Sequence, residues 1–185
     1  MNLLLLIGLP LLTAVTVLLS RNKQQVKWIA LVGSMAQLAL AFVLFFIYKH
    51  ERETGNAAQM LFEQNYPLFK SLNINFHLGV DGISIAMILL TAFVVVAGVL
   101  VSWHIEKMTK EFYFLLLLLG MGAYGFFISL DLFILFFFLE ISVIPKYLLI
   151  GIWGSGKKEY SANKLALMLM GGSALILVGI LGLYF

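Results

Sequence analysis

Long apolar stretches alternate with short polar segments along the chain, and this pattern predicts its main elements. Six apolar runs are long enough for helices, and most approach the ~20 residues that an α-helix needs to cross a hydrocarbon core of roughly 30 Å. The pattern therefore predicts an all-α polytopic membrane protein with about six transmembrane helices in a single domain over residues 1–185. The six predicted helices cover residues 3–19, 28–48, 82–103, 112–129, 132–153 and 165–185.

Composition supports the membrane class and excludes several kinds of site. Hydrophobic residues make up 62% of the chain and charged residues 11%, with a mean hydropathy of +1.03, whereas soluble domains are about 45–50% apolar. The chain has no cysteine, which excludes disulfides, thiolate metal sites and iron–sulfur ligation within it. Its modest net charge of +3 does not indicate nucleic-acid binding.

Lysine and arginine are distributed unequally between the two sets of loops. One set holds eight of them and the opposite set three, while Lys146 lies inside the fifth run. Because cytoplasmic loops carry the excess of Lys and Arg, we expect the N-terminus to face outward and the loops near residues 24, 107 and 158 to face the cytoplasm. The larger set is Arg21, Lys23, Lys27, Lys107, Lys110, Lys157, Lys158 and Lys164; the smaller set is Lys49, Arg52 and Lys70.

One long loop, residues 49–81, falls on the predicted outer side. Its first part, residues 51–59, is polar and is expected to extend the second helix or to turn. Its second part predicts a strand, because apolar residues recur at every second position. We therefore expect a small outer-side hairpin between residues 60–66 and 72–78. The alternating apolar positions are Leu72, Ile74, Phe76 and Leu78.

Histidine and proline in this loop have ordinary structural explanations. His77 is interpreted as a solvated or cross-strand residue rather than a metal ligand, because no partner ligand stands at suitable spacing. No metal site is predicted. Pro67 lies between the two predicted strands, where a missing backbone donor is tolerated.

Glu140 is the most informative residue for function. It lies inside the fifth apolar run, about 12 Å from its start and about 20 Å from its end at ~1.5 Å per residue. A lone charge at that depth costs ~2.5–3.5 kcal/mol on insertion scales. Such an acid usually marks an ion or proton route. The alternative is a neutral, hydrogen-bonded acid that holds helices together.

The residues that follow Glu140 shape its surroundings. Pro145 lacks a backbone N–H, which leaves the carbonyl of Ile141 without its helical donor. Ser142 either helps to satisfy that carbonyl or is an ordinary helical serine. Lys146 lies six residues after Glu140, about 240° round the helix, so a direct ion pair within the helix is not expected. Lys146 either reaches the cytoplasmic surface or faces the protein interior as a second titratable group. A partner for Glu140 must therefore come from another helix.

Two aspartates and several small residues have structural interpretations. Asp131 and Asp81 each stand directly before a predicted helix, where an aspartate usually caps the helix N-terminus. Small residues in the fourth and sixth predicted helices are interpreted as positions of close helix packing. They are Gly120, Gly122, Ala123 and Gly125 in the fourth, and Gly171, Gly172, Ser173 and Gly179 in the sixth.

Two motifs resemble a known family. GVDGIS at residues 79–84 resembles the GVDG(I/L)S signature of the antiporter-like membrane subunits of bacterial respiratory complex I, the NADH-quinone oxidoreductase. LDLF at residues 130–133, Glu140, and IPKYLLIGIWG at residues 144–154 resemble the fifth-helix pattern of that family. Within the family, the chain is most similar to the subunit M, or chain 4, type. The similarity runs over nearly the whole chain and is densest over residues 76–154.

The resemblance implies proton translocation coupled to electron transfer from NADH to quinone elsewhere in the complex. Glu140 occupies the place of the family's fifth-helix glutamate, which pairs with a lysine on a later, broken helix. Asp131 matches an acidic residue near the start of the same helix. Lys146 replaces an apolar residue, and with Glu140 and Asp131 it is a candidate proton-translocation residue. Asp81 and Pro145 are candidate structural or coupling residues.

The resemblance also implies a location and partners. The later lysines and the second inverted repeat would lie beyond residue 185, so we expect the chain to be the N-terminal part of an antiporter-like inverted-repeat fold. The expected location is a bacterial inner membrane, with the lipid bilayer and other membrane-arm subunits of complex I as partners. No cofactor is expected in this chain, since FMN, iron–sulfur clusters, NADH and quinone belong to partner subunits.

Two other functions fit the same residues. A multisubunit cation/proton antiporter of the Mrp type shares the fold and the buried glutamate, and would exchange sodium for protons without NADH or quinone. A non-pumping structural membrane subunit would use Glu140 only to hold helices together by hydrogen bonding.

Overall fold

Six α-helices and one hairpin form the described part of the fold. The computed structural model describes residues 2–55, 58, 60–69 and 74–184. The helices are α1 (Leu4–Leu19), α2 (Lys23–Glu53), α3 (Gly82–Val101), α4 (Thr109–Ile128), α5 (Leu132–Trp153) and α6 (Lys158–Tyr184), with a short 3₁₀ helix, Ser102–His104, after α3. The strands are β1 (Leu61–Phe69) and β2 (Ile74–Val80). The predicted all-α membrane class with an added hairpin is confirmed.

The helices alternate in direction, so the bundle has two distinct ends. At one end, β2 meets the α4–α5 junction, where Leu78 bridges Ser129; we call this the hairpin end. At the other end, Lys27 Nζ donates to the carbonyl of Trp103 at 2.6 Å and Trp153 Nε1 donates to the carbonyl of Lys107 at 2.8 Å. This second end gathers the larger set of basic loops, and we call it the basic end.

The helix bounds differ from the apolar runs mainly where polar turns extend a helix. The second helix was predicted over residues 28–48, but α2 begins earlier, at residue 23. It continues to residue 53, which agrees with the expectation that the polar residues 51–59 extend the second helix or turn. The sixth helix was predicted from residue 165, but α6 begins at Lys158. Hydropathy locates only the segment that suits hydrocarbon, whereas backbone hydrogen bonding continues through helix-forming polar residues beyond it.

Five of the six helices are long and apolar enough to span a membrane. The exception is α1, which has 16 residues. A span a few residues short is accommodated by local thinning of the bilayer or by its flanking residues. Of the six predicted transmembrane helices, five therefore meet the length and hydropathy of a membrane span. The shorter α1 packs beside them, against α2 and α4.

The hairpin forms as predicted but with longer strands. β1 and β2 pair antiparallel, with Leu61 opposite Val80 and Asn65 opposite His77. The first strand was predicted to end before Pro67, yet β1 continues through it, and the pairing becomes irregular just after Pro67. A two-stranded ribbon has only edge strands, where proline and bulges are tolerated. The predicted strand position Leu72 lies outside the described residues.

The hairpin is anchored because its apolar face is part of the core. Leu78 and Val80 are fully buried and pack in one cluster with Leu3, Leu6 and Tyr124. The polar residues of β2, Asn75 and His77, alternate with these apolar residues and lie on the opposite face of the strand. The hairpin therefore covers the hairpin end of the bundle.

Glycines in α4 allow α5 to approach closely. A Cβ on Gly125 would overlap the ring of Phe138, and one on Gly122 would lie 3.1 Å from Ser142 Cβ. The packing interpretation of these small residues is confirmed for α4. In α6 the described structure differs, because a Cβ on Gly171, Gly172 or Gly179 would meet nothing within 4 Å. The α6 glycines thus do not pack against the described part of the chain.

We expect Gly125→Ala to destabilise the α4–α5 pair by about 1–3 kcal/mol, because the new methyl group must displace the buried Phe138 ring. Thermal unfolding of the detergent-solubilised full-length protein measures this. Gly98→Ala is the matched control, since a Cβ there lies 3.6 Å from Leu116, an ordinary contact. Equal melting temperatures for the two variants would contradict the prediction.

Candidate functional site

Glu140 lies on α5, eight residues after the helix begins at Leu132. Its carboxyl oxygen Oε1 is buried and has no hydrogen-bond partner among the described residues. A buried polar atom without a partner is costly, and the cost is higher in hydrocarbon than at a wet surface. Such an atom requires a structural or functional explanation.

The face of α5 that carries Glu140 is shared with Val143, Ile144 and Tyr147, which follow it at helical spacing. These three residues line an apolar groove of about 600 Å³ between α5 and α6. Toward the basic end of this groove, Tyr147 OH donates to Asn163 Oδ1 at 3.1 Å. Glu140 therefore lies at the α5–α6 side of the helix, in an apolar setting with few polar neighbours.

Lys146 points back along α5 toward the middle of the span. Its Nζ donates to Ser142 Oγ at 3.1 Å, and Ser142 Oγ donates to the carbonyl of Leu139 at 2.7 Å. Of the two alternatives for Lys146, the structure shows the interior one, because the half-buried side chain reaches away from the basic end. Of the two alternatives for Ser142, the structure shows the ordinary helical serine, since its hydroxyl donates to the carbonyl of Leu139 rather than to that of Ile141.

Glu140 and the Lys146 ammonium lie on different faces of α5. Ser142 packs against Gly122 of α4, so the ammonium held by Ser142 is on the α4 side. Glu140 is two residues before Ser142, about 200° round the helix. Neither residue forms an ion pair within the described part of the chain. The expectation that the two do not pair directly agrees with this geometry.

Asp131 is placed as a helix cap, about 14 Å along the axis from Glu140 at ~1.5 Å per residue. Its Oδ1 accepts from the backbone N–H groups of Phe133 and Ile134, at 2.8 and 3.2 Å. Its Oδ2 accepts from the backbone N–H of Asn75 in β2 at 3.4 Å. Both carboxyl oxygens are thus engaged, and the carboxylate joins the start of α5 to the hairpin.

Asp81 caps α3 in the same way. Its Oδ1 accepts from the Ser84 backbone N–H at 2.7 Å, and this hydrogen bond is the main reason why the pKa of Asp81 lies below its ordinary value of 3.8. Pro145 is buried within α5, between Glu140 and the basic end. These are the positions of the two candidate structural residues.

His77 makes a cross-strand contact. Its Nε2 lies 3.4 Å from Glu63 Oε2 on β1, and both side chains are partly exposed. The interpretation of His77 as a cross-strand residue is confirmed. Within residues 2–55, 58, 60–69 and 74–184, no three His, Asp or Glu side chains come together as a metal site would require.

Two buried polar side chains were missed by sequence analysis. Gln37 on α2 is 2% exposed, and its Nε2 donates to the carbonyl of Leu6 at 3.1 Å. That carbonyl lies four residues before Pro10 and has lost its helical donor. The sequence signal that could have indicated Gln37 is Pro10, because a proline inside an apolar helix predicts that the carbonyl of Leu6 needs a donor from elsewhere. Tyr124 on α4 is 1% exposed, and its OH lacks a described partner.

Comparison with known proteins identifies the family. Residues 129–185 match the transmembrane family model described as NADH:quinone oxidoreductase/Mrp antiporter. A chloroplastic NAD(P)H-quinone oxidoreductase chain 4 from Adiantum capillus-veneris is 33% identical over 182 residues, which cover 97% of this chain and 36% of that protein. Residues 129–185 therefore belong to the NADH:quinone oxidoreductase/Mrp antiporter family. The recognition made from the motifs around Asp81 and Glu140 is confirmed.

Other relatives give the same result and define the extent of the match. An NAD(P)H-quinone oxidoreductase chain 4 from Thermosynechococcus vestitus is 33% identical over 179 residues, covering 96% of this chain and 33% of that one. The chain therefore spans about a third of the length of the curated relatives it matches.

Solved structures of respiratory membrane complexes share the fold. A chain of respiratory complex I from Thermus thermophilus with bound NADH superposes with a TM-score of 0.81 at 22% identity, covering 98% of this chain and 35% of that chain. A chain of the membrane-bound sulfane sulfur reductase, an archaeal respiratory membrane complex, has a TM-score of 0.73 at 23% identity, with coverage of 96% and 36%. The antiporter-like helical fold is thereby shown.

We expect Asp81→Ala to destabilise the protein by about 1 kcal/mol near neutral pH, because the first turn of α3 loses its side-chain acceptor. Asp81→Asn keeps an acceptor and is expected to lose less. Since the folded pKa is lowered, the carboxylate's contribution is present above the unfolded value of 3.8 and lost as pH falls below it. The melting-temperature difference between wild type and D81A should therefore shrink in acid. A constant difference across that pH range would contradict this assignment.

Proposed function

We propose that this chain is part of a proton-translocating membrane subunit of an NADH:quinone oxidoreductase. The observation that carries the proposal is the buried, unpartnered carboxyl oxygen of Glu140 in the middle of a membrane-spanning helix. A titratable acid at this depth is expensive unless its protonation is used. The relatives that match almost the whole chain are named as chain 4 subunits of such oxidoreductases, which supports this function over the Mrp-type antiporter.

The proposed mechanism is a change in the charge of Glu140. In surroundings of low dielectric constant, a carboxyl group holds its proton when no cation is near and releases it when an ammonium group approaches. Lys146 cannot supply that approach from its observed position, because its ammonium is held by Ser142 on the α4 side. The cation that pairs with Glu140 therefore comes from a membrane segment outside these residues, packed against α5 and α6.

Lys146 supplies a second proton-binding group in this proposal. Its ammonium lies at nearly the depth of Glu140 but on the opposite side of α5, where Ser142 and the Leu139 carbonyl extend a short hydrogen-bonded chain. Asp131 contributes a carboxyl group at the hairpin end, at the start of α5. The three candidate residues thus divide between two depths and two faces of one helix.

The orientation follows from the charges at the two ends of the bundle. The basic end collects the loops with eight Lys and Arg residues, so we propose that it faces the cytoplasm. The N-terminus and the hairpin then face outward. We propose a bacterial inner membrane as the location, although relatives also occur in chloroplasts.

Redox chemistry is assigned to partner subunits. The chain has no cysteine and therefore cannot ligate an iron–sulfur cluster through thiolates. We propose that FMN, iron–sulfur clusters, NADH and quinone are bound elsewhere in the complex, and that other membrane-arm subunits and the bilayer are the partners of this chain. Co-purification with flavin and iron–sulfur subunits would support this; co-purification with hydrophobic chains alone would favour the Mrp-type antiporter.

Glu140→Gln is expected to reduce proton translocation by the assembled complex at least tenfold, because the amide keeps the shape of the side chain but cannot exchange a proton. Proton uptake into inverted membrane vesicles on addition of NADH measures this. Complex content, determined from the flavin and iron–sulfur signals, is the control for assembly. Unchanged pumping in a fully assembled complex would instead make Glu140 a structural residue.

Lys146→Met is expected to lower the pumping rate by several-fold without abolishing it, since Glu140 retains its own cation. Lys146→Arg should restore most of the rate, because the positive charge and a donor to Ser142 remain. The same vesicle assay gives both values. If Met and Arg variants behave alike, the charge of Lys146 has no part in the transfer.

A further inference from the structure

The depth of Glu140 relative to α6 can be read from one contact. Gly151 of α5 packs against Ala162 of α6, with 3.6 Å between the alanine Cβ and a Cβ built on the glycine. Glu140 lies eleven residues before Gly151, and Ser173 lies eleven residues after Ala162. Since α5 and α6 run antiparallel, moving equally along both helices, by about 16 Å, brings Glu140 and Ser173 to the same level.

The same spacing places these two residues on facing sides. Eleven residues make about three full turns, leaving only ~20° of rotation. Glu140 therefore shares a face of α5 with Gly151, and Ser173 shares a face of α6 with Ala162. Because Gly151 and Ala162 touch across the interface, Glu140 and Ser173 face each other across it.

Burial supports this placement independently. Most of α6 is exposed, yet Ser173 is only 6% exposed, and α5 is the helix against which α6 packs. Ser173 is thus covered by α5. Its hydroxyl donates to the carbonyl of Met170 at 3.0 Å, which is a bond within its own helix that a rotation about one side-chain torsion would release.

We propose that Ser173 is the positioning residue for the Glu140 carboxyl group. A serine hydroxyl is both a donor and an acceptor. When Glu140 is protonated, its O–H can donate to Ser173 Oγ while the serine keeps its bond to Met170. When Glu140 is ionised, Ser173 turns its hydroxyl hydrogen from Met170 to the carboxylate. One neighbour therefore satisfies Glu140 in both protonation states, which deepens and rests on the proton-transfer function proposed above.

Vibrational spectroscopy of the assembled complex tests this contact. The carboxyl bands of Glu140 are first identified by their absence from Glu140→Gln. In Ser173→Ala these bands should shift, with the protonated C=O stretch moving to higher frequency as its hydrogen bond is lost. Ser173→Thr keeps the hydroxyl and should restore the wild-type position. Bands unchanged in Ser173→Ala would overturn the proposal.

Ser34 provides a matched control. It is a buried serine of α2, 2% exposed, whose hydroxyl also donates to the carbonyl three residues earlier at 3.0 Å. Ser34→Ala should leave the Glu140 bands in place, whereas an equal shift in Ser34→Ala and Ser173→Ala would show a general effect of serine removal and refute a specific contact.

Pumping gives the functional readout. Loss of one hydrogen bond to a charged group corresponds to roughly a tenfold effect, so Ser173→Ala should slow NADH-driven proton uptake by about that factor and Ser173→Thr much less. The two proposals fail separately. Normal pumping by Glu140→Gln would refute the proton-transfer function of Glu140, and the band shift would still test its contact with Ser173. Absence of the band shift would refute the contact, and the pumping role of Glu140 would be unaffected.

Discussion

In hydrocarbon, a polar group has no water to bond, and the arrangement of this bundle follows from that constraint. Helices satisfy the backbone, so each exception requires a specific partner. Pro10 frees the carbonyl of Leu6, and Gln37 on the neighbouring helix donates to it. Lys146 lies within a span, and Ser142 one turn earlier accepts from it. Glu140 Oε1 is a buried side-chain oxygen of α5 that the described residues leave without a partner, and the proposed proton transfer rests on it.

Much of the fold was predictable because membrane insertion imposes a strong pattern on sequence. The six apolar runs correspond to the six helices, and the alternation in residues 72–78 correctly indicated β2. The starts of α2 and α6 were missed because hydropathy detects lipid-facing segments rather than helical hydrogen bonding. The continuation of β1 through Pro67 was also missed, since the tolerance of an edge strand for proline depends on a pairing that sequence does not show.

The residues of the candidate site could be predicted from sequence, but the directions in which their side chains point could not. Glu140, Lys146 and Asp131 could be selected from sequence because charge inside an apolar run is rare. Helical spacing also indicated that Glu140 and Lys146 do not share a face. The side-chain hydrogen bond that turns Lys146 toward mid-span joins two residues of α5. The side of α5 on which it lies could not be predicted, because it is defined by the packing of Ser142 against Gly122 of α4. From sequence, Ser173 was interpreted only as a small packing residue. Its proposed position opposite Glu140 could be inferred only from the register in which α5 and α6 pack.

The attachments of β2 have a mechanical consequence for α5. The backbone N–H of Leu130 donates to the carbonyl of His77 at 2.9 Å, Leu78 bridges Ser129, and the carboxylate of Asp131 bonds Asn75. Three successive residues of the α4–α5 turn are therefore clamped to one strand. A force on α5 would tilt it about this fixed hinge, so the largest displacement would occur at Trp153 and the smallest beside Asp131, with Glu140 moving by an intermediate amount.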